Sequence, residues 1–90
     1  TETANCFSKE LAQSPKSNHR RDKCEPDYHG ENLAFGTFNA KDIVMDLLID
    51  DGVASLGHRK NILNPQFSIV GVAYGDHKRY KKCTVIDFKN

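Results

Sequence analysis

Gly57-His58-Arg59-Lys60-Asn61-Ile62-Leu63-Asn64-Pro65 sets an imidazole and two fixed cations just ahead of a hard backbone stop. The residue before a proline is pushed out of the α region, so Asn64-Pro65 ends any helix that reaches it. The next segment, Ser68-Ile69-Val70-Gly71-Val72-Ala73-Tyr74, is short and β-branched and reads as a strand. Gly75-Asp76-His77-Lys78-Arg79 reads as a turn, and residues 80–88 return as the partner strand with Thr84, Ile86 and Phe88 on one face. The quoted stretch therefore joins a helical part to a hairpin over residues 67–88. That order gives an α+β class, with helices laid against an antiparallel sheet.

Upstream, Ala40, Ile43, Val44, Leu47 and Leu48 recur at the spacing of one helical face and predict a helix over residues 40–50. Asn39 suits its N-cap, with Asp42 in the first turn, and Gly52 suits its C-terminal cap. A shorter helix is predicted over 53–63. Residues 6–13 have weak helical spacing and stop at Ser14-Pro15. Residues 14–30 are polar, carry two prolines and a basic cluster, and read as a long exposed loop suited to mobility.

Ninety residues make one domain with one modest core. Thirteen basic against twelve acidic residues leave no global charge argument for nucleic acid or membrane binding. No apolar run approaches the roughly 18 residues of a membrane span. Thr1-Glu2-Thr3-Ala4-Asn5 lacks an initiator Met and a signal-peptide pattern, which reads as an interior start. Cys6, Cys24 and Cys83 make an odd count: one bridge and one free thiol in a secreted protein, three thiols in the cytosol. Compartment is not settled by composition.

Several residues could carry chemistry. His58 is a metal ligand or base by type, and a helix-start imidazole bonded to nearby backbone by the plainer reading. Glu31 lies between the flexible Gly30 and an apolar run, so burial would require a partner: His58, Arg59 or a metal. Asp50 and Asp51 oppose the dipole at the end of the 40–50 helix, and Asp50, on the edge of its buried face, is the stronger functional candidate. Lys16, Arg20, Arg21 and Lys23 form a basic patch, interrupted by acids and more simply a solvated loop than a nucleic-acid site. The hairpin lysines and arginine, Lys78, Arg79, Lys81 and Lys82, are read the same way. Ser55 lacks the strand–turn–helix setting of a hydrolase nucleophile. Cys83, within a strand, is an ordinary buried thiol.

Gly30-Glu31-Asn32-Leu33-Ala34, the quoted 57–65 stretch, Phe67 with Val70-Gly71-Val72, and Thr84-Val85-Ile86-Asp87-Phe88 together resemble the CAP superfamily. This SCP-domain group contains cysteine-rich secretory, antigen 5 and pathogenesis-related proteins. The resemblance implies an α-β-α sandwich with a cleft lined by two His and two acids, in which Glu31 matches the first acid, Asp50 the second and His58 the second His. Gln13 stands at the position of the first His, for which His29 or His19 could substitute. The pair of hairpin cysteines found in some relatives is replaced by Tyr74 and Thr84, with Cys83 offset by one onto the opposite sheet face. Measured against the family, residues 1–90 read as one domain covering the C-terminal two-thirds of the usual length and lacking the first helix. Such a loss would expose apolar surface of the 40–50 helix or of the sheet, to be covered by a homo-oligomer or by the missing segment in trans.

The resemblance implies an extracellular protein of defence, venom or signalling type. The main reading is a non-enzymatic binder of a lipid, a sterol or a protein partner through a cleft holding Glu31, Asp50 and His58. The first rival is a divalent-metal hydrolase in which His58 and Glu31 hold or serve zinc. The second is an interaction module whose basic loop takes sulfated glycans or acidic lipids. Neither nucleic acid nor a transmembrane segment is expected.

Overall fold

A computed structural model describes residues 2–14, 16–36 and 39–90; Pro15, half of the expected helix stop, lies outside them. The first helix, α1, spans Glu2–Ala12. It begins earlier than the weak 6–13 pattern because its buried stripe starts at Ala4 and continues through Phe7, Ser8 and Leu11. The helix α2 spans Ala40–Ile49, and Asn39 caps it as expected, its side-chain oxygen accepting from the Asp42 N–H at 2.9 Å. The helix α3 spans only Gly57–Leu63, because the chain is still turning through residues 53–56.

Three strands form one antiparallel sheet: β1 (Gly30–Phe35), β2 (Ile69–His77) and β3 (Lys81–Lys89), in the order β1-β3-β2. The hairpin is present, though β2 runs on through Gly75, Asp76 and His77, which the sequence pattern places in the turn. The cause is His77: buried, it accepts the N–H groups of Arg79 and Tyr80 at Nδ1 and donates from Nε2 to the Lys16 carbonyl at 2.7 Å. Strand β1 was not expected. Both its faces are partly covered, so the alternation that marks a half-exposed strand is missing.

The layers follow from strand parity. Leu33, Ala73, Cys83 and Val85 face α1 and close on Phe7 and Leu11, which are fully buried. Burying such side chains contributes about 1.5–3 kcal/mol each. Ile86 and Phe88 face the other way, onto Ile43 and Leu47 of α2, with Ile62 and Phe67 packed beside them. The expected α-β-α sandwich is thus the observed one. Cys83 takes the α1 face, as its offset implied, and keeps a free buried thiol while Cys6 and Cys24 are bonded.

The stretch between α1 and β1 is irregular and largely exposed, yet tied down along its length. The Glu10 carboxylate accepts the Asp22 and Lys23 N–H groups at 2.9 Å each and pairs with the Lys16 ammonium, while the disulfide fixes Cys24 to α1. These bonds, against the opposing push of burial, hold the Glu10 carboxyl down at about 2.

Candidate functional site

Parity also decides which acids meet. Glu31 faces Asp87 directly across β1 and β3, and both side chains share the α1 side with Leu33 and Val85. Two carboxylates in that position repel unless a cation or a proton intervenes. Both do. Arg21 reaches in from the loop, its Nη2 2.6 Å from Glu31 Oε2 and 3.2 Å from Asp87 Oδ2. All three side chains are at least 96 % buried, as the exposures of 4 %, 2 % and 3 % show. The guanidinium plane lies over the Phe7 and Tyr28 rings at 4.5 and 4.9 Å, and its other terminal nitrogen donates to the carbonyl and hydroxyl of Thr3.

Charge then divides unevenly between the two acids. Burial pushes the Asp87 carboxyl up and the neighbouring Glu31 adds to it, carrying it to about 8. Burial pushes Glu31 up too, but hydrogen bonds from His19, Asp87 and Arg21 overcome it and hold Glu31 below the ordinary range. With Asp87 raised and Glu31 lowered, the pair favours a neutral Asp87 beside an ionised Glu31 at neutral pH.

His19 completes this cluster, with Nδ1 2.8 Å from Glu31 Oε1 and half of its side chain open to water. His29 stands apart; its Nδ1 accepts the Asn90 N–H at 3.0 Å at the mouth of β1. Of the basic patch, Arg21 is consumed inside the cluster and Lys16 is bound between Glu10 and Asp22, leaving Arg20 and Lys23 exposed.

His58 and Asp50 meet in a second cluster. Asp50 sits in the left-handed region at φ 53° and ends α2, with Gly52 two residues further on, also at positive φ. Its buried carboxylate accepts the His58 and Arg59 N–H groups at 2.9 and 3.2 Å and holds His58 Nδ1 at 2.8 Å. An acid that opposes the dipole of α2 therefore satisfies the first N–H groups of α3. Burial raises the Asp50 carboxyl, and the His58 and Arg59 hydrogen bonds outweigh it, so the group lies below its usual value. The exposed Asp51 is not part of this arrangement. Arg59 turns back to donate to the Leu48 and Ile49 carbonyls at the end of α2.

The two clusters stand on opposite faces of the sheet. Glu31 points to the α1 side, whereas α3 packs on the α2 side, where Asn32 donates to the His58 carbonyl at 3.1 Å and Asn61 donates to Asn32 at 2.9 Å. The side-chain partners of Glu31 are Arg21 and His19, 10 and 12 residues back, and not His58 or Arg59. Asp87 and Arg21 are the members of this constellation that sequence reasoning did not single out for it. The signal for Asp87 was present: with Thr84, Ile86 and Phe88 on one face, Asp87 falls on the other with Cys83 and Val85. Among the described residues no group of three or more His, Cys, Asp and Glu side chains is placed to hold a metal ion.

Gly30 owes its place to packing. A Cβ there would come within 2.9 Å of the Phe67 ring and 3.2 Å of Asn61 Oδ1. The positive φ ahead of α3 belongs to Leu56 at 54°, the residue before Gly57.

On the α2 side lies an open groove of about 480 Å³. Ile43 and Val44 form one wall, Val72 and Tyr74 the other, with Thr84 and Ile86 at its floor; among the described residues none that lines it is charged. Of the predicted apolar stripe on α2, Ile43 and Leu47 are buried while Val44 is 45 % exposed. The helix covers β1 and β3 but leaves β2 bare on this face, so Val70, Val72 and Tyr74 are all more than half exposed. Among the described residues no helix is long and apolar enough to cross a membrane.

No curated protein and no solved structure matches the chain. The sequence pattern of the family described as CAP, Cysteine-rich secretory protein family, does match, over residues 2–88. That span takes in both acid clusters, the disulfide and all three layers. The α+β sandwich and this near-complete match lead to the same conclusion: the chain belongs to the CAP family of cysteine-rich secretory proteins.

Proposed function

We propose that this CAP-family chain is a non-enzymatic extracellular binding protein of defence, venom or signalling type, and that its ligand is a sterol- or fatty-acid-like molecule held in the groove between α2 and the sheet. The observation that carries the reading is the groove itself. Its volume of about 480 Å³ falls among small-molecule sites, which span roughly 300–1,000 Å³. Its walls are apolar, and Tyr74 and Thr84 bring hydroxyl-bearing side chains suited to a single polar head. Exposed Val44, Val72 and Tyr74 gain hydrophobic free energy when a ligand removes them from water. The Cys6–Cys24 disulfide is in keeping with an oxidising, extracellular setting.

The acid clusters favour the same reading over hydrolysis. A Glu31 base would have to leave Arg21 and His19, and His58 lies with Asp50 across the sheet from it. A divalent cation at His19 would find Glu31 and Asp87 already engaged with Arg21, and one at His58 would find the single, already hydrogen-bonded carboxylate of Asp50; neither offers a free set of the three or four protein ligands usual for zinc.

Titration with the fluorescent sterol dehydroergosterol tests the reading. Saturable micromolar binding is expected in the wild type, weakened at least about tenfold by Val44→Glu, which puts a charge on the groove wall without touching the core. Absence of saturable binding, or equal binding by Val44→Glu, contradicts it.

A further inference from the structure

Strand β2 is an edge strand, bonded to β3 on one side only. Along its other side every second residue presents backbone N–H and C=O groups, and among the described residues these have no backbone partner. Soluble proteins blunt such edges with lysines, prolines, bulges or a covering element. The opposite edge of this sheet has a cover, since Asn61 of α3 donates to the Glu31 carbonyl. Strand β2 has no such device among the described residues. Ile69-Val70-Gly71-Val72-Ala73-Tyr74-Gly75 contains neither charge nor proline and pairs with β3 in unbroken register. The helix α1 packs on one face of this strand, with Ser8 close against Gly75, and an open hollow of about 290 Å³ remains between Asn5, Lys9 and Ala12 on the helix and residues 73–76 on the strand.

We infer that two copies of the chain associate through antiparallel pairing of their β2 strands about a two-fold axis at Val72, forming a continuous six-stranded sheet. The uncharged run from Ile69 to Gly75 is centred on Val72. Only that register matches every member of the run with another: Ile69 with Gly75, Val70 with Tyr74, Gly71 with Ala73, and Val72 with itself. The charges agree. The basic turn with Lys78 and Arg79 sits at one end of β2 and the neutral Pro65-Gln66 at the other, so antiparallel pairing sets each basic turn beside a neutral segment. A parallel arrangement would put the two basic turns together. With a net charge of +1, the chains do not repel one another at long range. Val70, Val72 and Tyr74 of both copies then share one face, and the two apolar grooves adjoin across the axis.

Sedimentation equilibrium on ligand-free protein from about 1 to 500 µM, a range bracketing weak symmetric association, tests this independently of any groove ligand. The wild type should be a concentration-dependent dimer. Val72→Lys and Val72→Glu, each placing like charges opposite one another at the axis, should be monomers with unchanged circular dichroism; an equimolar mixture of the two should restore the dimer. Hydrogen exchange on the wild type adds a readout free of substitutions: protection of alternate β2 amides should rise with protein concentration. A wild type that stays monomeric throughout, or a dimer that survives both substitutions with β2 exchange unaltered, overturns the inference. Recovery of an unrelated extended peptide on β2 with no self-association would overturn it as well.

Discussion

Arg21 binds Glu31 and Asp87 at once, through a single guanidinium nitrogen 2.6 Å from one and 3.2 Å from the other. The residues lie 10 and 66 positions from it in the chain, so this buried contact ties the loop after α1 to both strands of the β1–β3 pair. It also fixes the ionisation of the pair, and two predictions rest on it.

The first concerns pH. Asp87 has a folded value near 8, raised above its unfolded one, so the folded state holds a proton that the unfolded state has released. Its stabilising effect is full below about pH 4 and is lost as pH rises toward 8, at no more than about 1.4 kcal/mol per pH unit. Glu31 and Glu10, both lowered, act in the opposite sense: their contribution is present above the ordinary carboxylate range and is lost as pH falls below it. The melting temperature should therefore peak in mildly acidic buffer and decline toward pH 8. Asp87→Asn, which keeps a donor toward Glu31, should flatten that decline; an unaltered slope in the variant would show that the proton is not on Asp87.

The second concerns the cation. Arg21→Met leaves the buried Glu31 carboxylate, beside a neutral Asp87, without its counter-charge, a type of change that costs about 3–5 kcal/mol. In a domain of this size that consumes most of the stability, and urea unfolding should show the midpoint falling toward zero. Adding Glu31→Gln removes the stranded charge and should recover part of the loss. A single-variant cost under about 1 kcal/mol would mean the cluster is not ionic.

How much of this could be read from the chain alone depends on where each signal resides. The helix at α2, the hairpin and the stop after α3 are local: apolar spacing, β-branching and Asn64-Pro65 act on their own neighbours. Strand β1 was missed because coverage of both faces erases the alternation that reports a strand. Glu31 was legible as an acid in need of a partner, but its partner is set by β1–β3 register and by a loop anchored at Glu10 and Cys24, and neither is a local property. Asp50 and His58 were each singled out, and only the left-handed turn at Asp50 reveals that they serve one another.

Gly30 offers a test of packing. Gly30→Ala drives a methyl group into the Phe67 ring and should cost about 1–3 kcal/mol in chemical denaturation. Phe67→Leu in the same chain should give back part of that through a coupling of about 0.5 kcal/mol or more. Additive effects would place the origin of the cost elsewhere.

For metal, calorimetric titration of zinc into stripped protein should give the same weak heats for the wild type and for His58→Ala, because His58 and Glu31 stand on opposite sides of the sheet. Stoichiometric micromolar binding that disappears in His58→Ala would bring the hydrolase reading back for assay.

The central claim is that the ligand lies between α2 and the sheet, on the face away from Glu31. Methyl-resolved NMR spectra of the protein titrated with dehydroergosterol test it most directly. Saturable shifts are predicted at Ile43, Val44, Val72 and Ile86, with Leu33, Leu11 and Val85 on the α1 face unmoved. Shifts centred on the α1 face, or none at the four groove residues, would contradict it.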